Sequence, residues 1–323
     1  MQWHHVPSDG PPMTPDPWSQ WPADPGPFLV LGGLVIWYSL SATRFRQVLI
    51  ASGGPVPAWI GPGMRAPERR GELTPWHVVR FFAGIVTAAL ALGSPLHSVG
   101  EAYLLTAHMA QHLVVTLVVP PLLITGIPAW MIRPVLTWPP IAPAIKVLLS
   151  PVPAFLIFNS VFLGWHVPAF YELALAIPAV HAMEHGSMIL TATLTWWPVF
   201  GTLWEYPRLP YGGQVMYLFL ESLPPTVLGA LMSLTSTVLY PTYELAPRIS
   251  SWTAIQDQTV AGLVMWMPGA LGYFAVLSGV FYVWVERRAA SGGEAPYRNV
   301  NPGRARRDGR APQPSLASQT RET

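Results

Sequence analysis

Apolar residues run through this chain in long blocks, broken by short polar stretches rich in Pro and Gly. Seven blocks approach or exceed the roughly 20 residues a helix needs to cross a hydrocarbon core about 30 Å thick. They fall at about 28–47, 76–95, 101–125, 149–166, 179–201, 213–239 and 258–285. The connections at 53–57, 61–71, 139–143, 207–210 and 241–251 carry the Pro, Gly and charge that end helices. The pattern predicts an all-α polytopic membrane bundle of seven transmembrane helices over 28–286, with no internal repeat. The proline-rich residues 1–27 are expected to be a disordered extracytoplasmic tail. The Arg-, Pro-, Ser- and Gly-rich residues 287–323 are expected to be a disordered basic cytoplasmic tail.

Composition strengthens this reading. Only 11% of the 323 residues are charged, against about 25% in an ordinary soluble domain, and the mean hydropathy is +0.36. The 15 Trp and 11 Tyr suit membrane–water interfaces. There is no cysteine, which removes disulfides, thiolate metal sites and cysteine nucleophiles. Any soft-metal site must therefore use His, Met and carboxylates.

The pI near 9.0 does not point to nucleic acid, because the basic residues lie in short connections and in the tail. If alternate connections face the cytoplasm, one side holds Arg44, Arg46, Arg65, Arg69, Arg70, Arg80, Arg133, Lys146, Arg208 and the eight arginines from Arg287 onward. The other side holds only Arg248. Seventeen against one places the amino terminus outside and the carboxyl terminus in the cytoplasm. Residues 1–27 lack the basic n-region of a signal peptide, so the first helix is expected to act as the insertion signal.

That orientation puts eight of the nine histidines on the outer side, leaving His77 at the cytoplasmic edge. His4 and His5 lie in the tail, His97 at the outer end of the second helix, and His166 at the end of the fourth. His108 and His112, four residues apart, share one face of the third helix, and His181 and His185 repeat that spacing on the fifth. At a 1.5 Å rise, His112 lies roughly 15 Å along its helix, near the membrane centre. Ionisable groups at such depth are costly and mark function. One buried histidine alone reads as hydrogen-bonded packing. Two imidazole pairs on different helices could surround an ion.

Glu184 adjoins the second pair, and Met109, Met183, Met265 and Met267 add sulfur. Imidazole with thioether suits copper, and imidazole with carboxylate suits zinc or iron. Methionine is also an ordinary filler of bundle interfaces. Glu101 and Asp257 open the third and seventh helices, where capping and the helix dipole favour a carboxylate without any metal. Glu221 lies three residues before Pro224-Pro225. It either satisfies backbone freed by the kink or belongs to an ion or proton path.

Other motifs are weaker. His181-Ala182-Met183-Glu184-His185 fits the H-x-x-E-H pattern of inverted zinc proteases, which also needs a third ligand and an open position. A retinal Schiff base fails because the only lysine is Lys146 in a cytoplasmic connection. A bis-His haem between the third and fifth helices stays open. No P-loop or dinucleotide fingerprint is present.

Four blocks in order bring a family into view. They are His108-Met109-Ala110-Gln111-His112 leading to Pro120-Pro121; Trp165-His166-Val167-Pro168 with Tyr171; His181 to His185 followed by Trp196-Trp197-Pro198; and Asp257-Gln258 through Gly262 to Met265-Trp266-Met267-Pro268-Gly269. Together they resemble the membrane-embedded CtaG family of cytochrome c oxidase assembly factors, of the caa-type oxidase class, over about 28–286. An unrelated single-span copper chaperone shares the CtaG name, but it uses paired cysteines that this chain lacks.

The resemblance implies a non-enzymatic role in maturing a haem–copper oxidase, with copper as the expected cargo and zinc or haem as the lesser alternatives. It carries His108, His112, His166, His181 and His185 over as metal ligands, with Glu184 and Asp257 in second rank; the residue reading adds His97, Glu101, Met109, Met265 and Met267 to that second rank. The expected partners are oxidase subunits in the same bacterial cytoplasmic (inner) membrane, an extracytoplasmic copper chaperone and the lipid bilayer, with no nucleic acid. Its rivals are an intramembrane zinc protease, a haem redox protein and a copper transporter.

Overall fold

The computed structural model describes residues 16–22, 24–45, 47 and 72–290. No β-strand occurs among them. Among the described residues the seven apolar segments are helical, and five shorter helices lie between them. In chain order these are α1 (Gly26–Leu40), α2 (Pro75–Gly93), α3 (Pro95–Ala102), α4 (Leu105–Gly126), α5 (Ala129–Leu136), α6 (Ala142–Leu148), α7 (Pro151–Trp165), α8 (Pro168–Ala176), α9 (Pro178–Phe200), α10 (Tyr211–Leu234), α11 (Pro241–Leu245) and α12 (Ala254–Ala290). Proline in the first turn opens α2, α3, α7, α8, α9 and α11. There its missing N–H costs nothing and its fixed φ suits the helix.

Several boundaries move from their expected places. The third segment was expected from residue 101, but residues 95–102 form the separate α3, capped by Ser94 onto Leu96 N (3.3 Å), and α4 starts at Leu105. The sixth ends at Leu234 rather than 239, and the last runs on to Ala290. Part of the expected amino-terminal tail is ordered: Pro17–Ser19 form a short 3-10 turn, with Asp16 Oδ1 accepting from Trp18 N, and the turn packs on α3. Residues 1–15 of that tail, with His4 and His5, and residues 291–323 of the basic tail lie outside the described residues.

Among the described residues five helical stretches are long and apolar enough to cross a membrane: Gly26–Arg44, Pro75–Ala102, Leu105–Gly126, Tyr211–Leu234 and Ala254–Ala290. The pair α6–α7, bent by 72°, makes a sixth if it is one span. The protein is therefore a multi-pass membrane protein. The 23-residue α9 is long enough but more polar, because it carries His181, Glu184, His185, Thr191, Thr193 and Thr195. The feature that lowers its hydropathy is the candidate site itself.

Helix α4 stands at the centre, packed on α2, α3, α9 and α12. Its middle turn, Val114–Val118, is widened to a π-helix ahead of Pro120-Pro121. Pro120 has no N–H to return to the carbonyl of Thr116, and that carbonyl instead accepts the indole N–H of Trp196 on α9 at 2.8 Å. The most extensive contact joins α10 and α12. At their crossing a Cβ on Gly229 would sit 2.6 Å from the carbonyl oxygen of Gly262, so the small residues allow backbone contact, as in membrane helix pairs generally. Helix α1 lies against α2, with Tyr38 stacked on Phe81 (3.9 Å between ring centroids) and its hydroxyl donating to Gly126 O.

Because the long helices alternate in direction, the molecule has two unlike ends. One end gathers the finish of α2, α3, the start of α4, the finish of α7 and the start of α9 and α12. It holds His97, His108, His112, His166, His181 and His185. The other end holds Arg44, Arg133, Lys146, Arg208, Arg287 and Arg288, with Arg133 paired to Glu205.

Candidate metal centre

The six histidines of that end converge. On α4 the four-residue spacing brings His108 Nε2 within 2.8 Å of His112 Nε2. On α9 the same spacing brings His185 Nε2 within 2.8 Å of His181 Nε2. The two pairs face each other across the α4–α9 contact, with ring centroids 5.1 Å apart for His112 and His185 and 5.4 Å for His108 and His181. All four rings are buried.

Between them lies Glu184, 0% exposed. One carboxylate oxygen is 3.5 Å from His112 Nε2 and 3.9 Å from His108 Nε2, and the other is 3.8 Å from His181 Nε2. Neither oxygen has a hydrogen-bond partner. A buried carboxylate without hydrogen bonds is expensive unless a cation balances it. One ligand atom each from His108, His181, Glu184 and His185 lies within 4.8 Å of the others. Metal–nitrogen bonds near 2.0–2.1 Å put tetrahedral donors about 3.4 Å apart, so modest side-chain rotation would close the set on one ion.

Hydrogen bonds to the far side of the rings decide which nitrogens carry lone pairs. The Tyr243 hydroxyl donates to Gly100 O (2.7 Å) and so accepts from His108 Nδ1 (3.2 Å). That leaves the His108 Nε2 lone pair turned to the cluster. Glu101 Oε1 accepts from His181 Nδ1 at 2.6 Å and does the same for His181 Nε2. Phe162 O accepts from His166 Nδ1 at 2.7 Å, while His166 Nε2 is buried without a partner beside His112, whose ring centroid is 5.7 Å away. Carboxylate and carbonyl acceptors behind metal-binding imidazoles fix tautomer and orientation in this way. His97 stacks on His181 (5.1 Å, 7°), receives the Gln111 amide N–H at Nδ1 (2.9 Å), and turns Nε2 toward Glu101 Oε2 (3.5 Å). His97, Glu101 and His181 thus form a second, overlapping group of metal-capable side chains.

The structure draws in His108, His112, His166, His181 and His185, and it moves Glu184, expected in second rank, to the middle. It separates others. Asp257 lies outside the cluster: its Oδ2 accepts from Leu105 N (2.8 Å) and its Oδ1 from Thr106 N (3.1 Å) and Thr106 Oγ1 (2.6 Å). It caps α4 from across the bundle, not the helix it opens. Met183 and Met267 point outward, 64% and 57% exposed, so neither can serve as an internal ligand, whereas Met109 and Met265 are buried. His77 is a capping residue: its Nδ1 accepts from Thr74 N while its own N–H bonds Thr74 Oγ1.

Glu221 does not bond the backbone freed by Pro224-Pro225. Its oxygens accept from Thr195 Oγ1 on α9 and from Asn159 Nδ2 on α7 (2.9 Å). Sequence reasoning gave no site role to Gln111, to Tyr243, or to Tyr171, whose hydroxyl bonds that of Tyr243 at 3.0 Å. The signal was that Gln111 and Tyr171 stand within two of the four blocks. Tyr243 comes from the short α11 and has no spacing relation to any histidine.

Fold and site together define a multi-pass helical membrane protein with an internal cluster of metal-capable imidazoles and carboxylates. A family model described as the cytochrome c oxidase caa3 assembly factor (CtaG) matches residues 61–287, and the chain belongs to that family. Among curated proteins it is similar to uncharacterized proteins of Mycobacterium bovis and Mycobacterium tuberculosis, each 27% identical over 295 residues, covering 83% of this chain and 42% of the relative. An uncharacterized protein of Mycobacterium leprae is 24% identical over 269 residues, 76% of this chain and 40% of its own. The chain thus spans about two-fifths of the length of these relatives. No solved structure matches it.

Proposed function

We propose that this protein supports cytochrome c oxidase assembly by holding a copper ion, as Cu(I), in the imidazole–carboxylate cluster and releasing it to an oxidase subunit in the same bacterial cytoplasmic membrane. The observation that carries this is Glu184, buried with both oxygens unbonded and facing the Nε2 atoms of two histidine pairs. Such a site fits a cation. An imidazole-rich set around one central carboxylate suits a monovalent ion that must later leave. Copper is the cargo, not a catalytic cofactor, and the protein acts as a non-enzymatic carrier that receives copper from an extracytoplasmic chaperone.

In this reading α9, the fifth span in chain order, completes a set of seven, the amino terminus is outside, and the histidine end faces outward. The support is the segregation of Arg and Lys to the opposite end. Reporter fusions after Leu40, Gly126 and Ala290 test it; a Gly126 or Ala290 fusion active only on the outer side overturns the orientation.

Metal analysis of purified wild type against His108→Ala/His112→Ala tests the site. The variant is expected to lose its copper. Equal copper in both removes the proposed α4 ligands. Copper movement across sealed vesicles would make the protein a transporter instead. A zinc protease would use Glu184 as a base on water, but burial between four imidazoles favours a ligand role. Ring centroids only 5.1–5.7 Å apart across α4 and α9, with Glu184 between, fit an ion better than a macrocycle.

A further inference from the structure

Toward the arginine end from His112 lies a cavity of ≈ 20 Å³. That is enough for one water-sized body, since about 10–15 Å³ suffices. Its walls include Met109 and His112 from α4, Met265 and Tyr273 from α12, and Phe158 and Phe162 from α7. No carboxylate or other charged side chain lines it. His112 is 2% exposed and its Nδ1 has no hydrogen-bond partner. Its Nε2 faces His108 and Glu184, so Nδ1 is the ring nitrogen left over for the cavity that His112 also lines. An unbonded imidazole nitrogen and two buried thioethers around one cavity are a donor set without a stated task.

We propose that this cavity is a second, soft cation position, in which Met109 Sδ, Met265 Sδ and His112 Nδ1 take Cu(I) or its analogue Ag(I). The proposal rests on the metal-binding reading of the neighbouring cluster. The chemistry of the walls selects the ion. Neutral thioethers favour soft monovalent Cu(I), while divalent zinc favours the imidazole–carboxylate set with its two glutamates. A site without charge matches a monovalent ion better than a divalent one. His112 has one ring nitrogen toward the cluster and a second without a partner; a neutral imidazole offers one lone pair at a time, so an ion leaving Nε2 for Nδ1 requires the ring proton to return to Nε2. Of the five methionines on α4, α9 and α12, Met109 and Met265 are the two that line this cavity.

The test is X-ray absorption on full-length protein in lipid nanodiscs, loaded with Cu(I) alone or Zn(II) alone. Wild type is expected to show sulfur scatterers around Cu(I) and only nitrogen and oxygen around Zn(II). Met109→Leu/Met265→Leu, close to volume-conserving, is expected to lose the Cu(I) sulfur signal while binding as much Zn(II) as wild type. A wild-type Cu(I) spectrum free of sulfur overturns the cavity site and leaves the cluster standing. A sulfur signal unchanged in the double variant also overturns it, because the sulfur then comes from elsewhere. Binding of neither metal by wild type overturns both readings. Should the double variant also lose Zn(II), the single variants decide: each must show a smaller sulfur signal than wild type, and an undiminished one rejects the proposal.

Discussion

Of the three carboxylates buried among the described residues, Glu184 near the histidine end and Glu221 deeper toward the arginine end have opposite surroundings. Glu221 is supplied by the protein: Thr195 and Asn159 donate to its two oxygens, joining α10 to α9 and α7. Glu184 has no donor at all, although imidazole nitrogens stand 3.5–3.9 Å from its oxygens. Burial alone does not distinguish them, since both are at most 1% exposed. The distinction lies in the neighbours. A carboxylate whose acceptors are filled by side-chain donors works as a polar link between helices. A carboxylate surrounded by nitrogens whose own protons are committed elsewhere is complete only with a cation.

Four substitutions test that contrast, in order of expected effect. Glu184→Gln removes the central charge and is expected to weaken copper binding by ~100-fold, the upper end for groups that tune a metal site, in a competition titration. Affinity equal to wild type would place Glu184 in the same class as Glu221. Glu221→Ala should leave copper affinity unchanged but strand Asn159 and Thr195. It is expected to cost about 1–3 kcal/mol of stability, read as a lower thermal midpoint; a loss of metal would break the contrast from the other side. Glu101→Gln keeps the shape but loses the negative acceptor behind His181, and a fall of ~10-fold in affinity is expected, with no change in thermal midpoint. Asp257→Ala uncaps α4 and should cost about 1 kcal/mol in thermal stability while the metal stoichiometry holds. Metal lost from this variant at a temperature where it remains folded would return Asp257 to the ligand set.

The extent to which the sequence foretold this site differs from residue to residue. His108 with His112, and His181 with His185, were legible because a 3.6-residue period places positions four apart on one face whatever the tertiary fold. Glu184 precedes His185 directly, and neighbouring residues on a helix point about 100° apart, so its placement between the pairs could not follow from spacing. Asp257 looked like a candidate because it is acidic and close to the membrane surface, yet α12 delivers it to the bare N–H groups of α4, 152 residues away in sequence from Leu105. The four methionines were equivalent as a list and separate only once the azimuth of α9 and α12 is known: Met183 and Met267 turn outward, Met109 and Met265 inward. The bend between α6 and α7 and the short helices α3, α8 and α11 also escaped the hydropathy pattern, because they are shorter than its averaging length.

Local and compositional rules therefore determined the helical segments, their membrane character, the two histidine pairs and the gathering of basic residues toward one end. Each depends only on the order of residue types along the chain and on the geometry of a single helix. The tertiary structure decided which faces meet. It placed Glu184 between the pairs, set Glu101 and Tyr243 behind His181 and His108, and gave Asp257 to the end of α4. These outcomes depend on how each helix is rotated about its own axis. That rotation is set by side-chain packing and close backbone contacts such as Gly229 against Gly262, which join residues distant in sequence and leave no period to read.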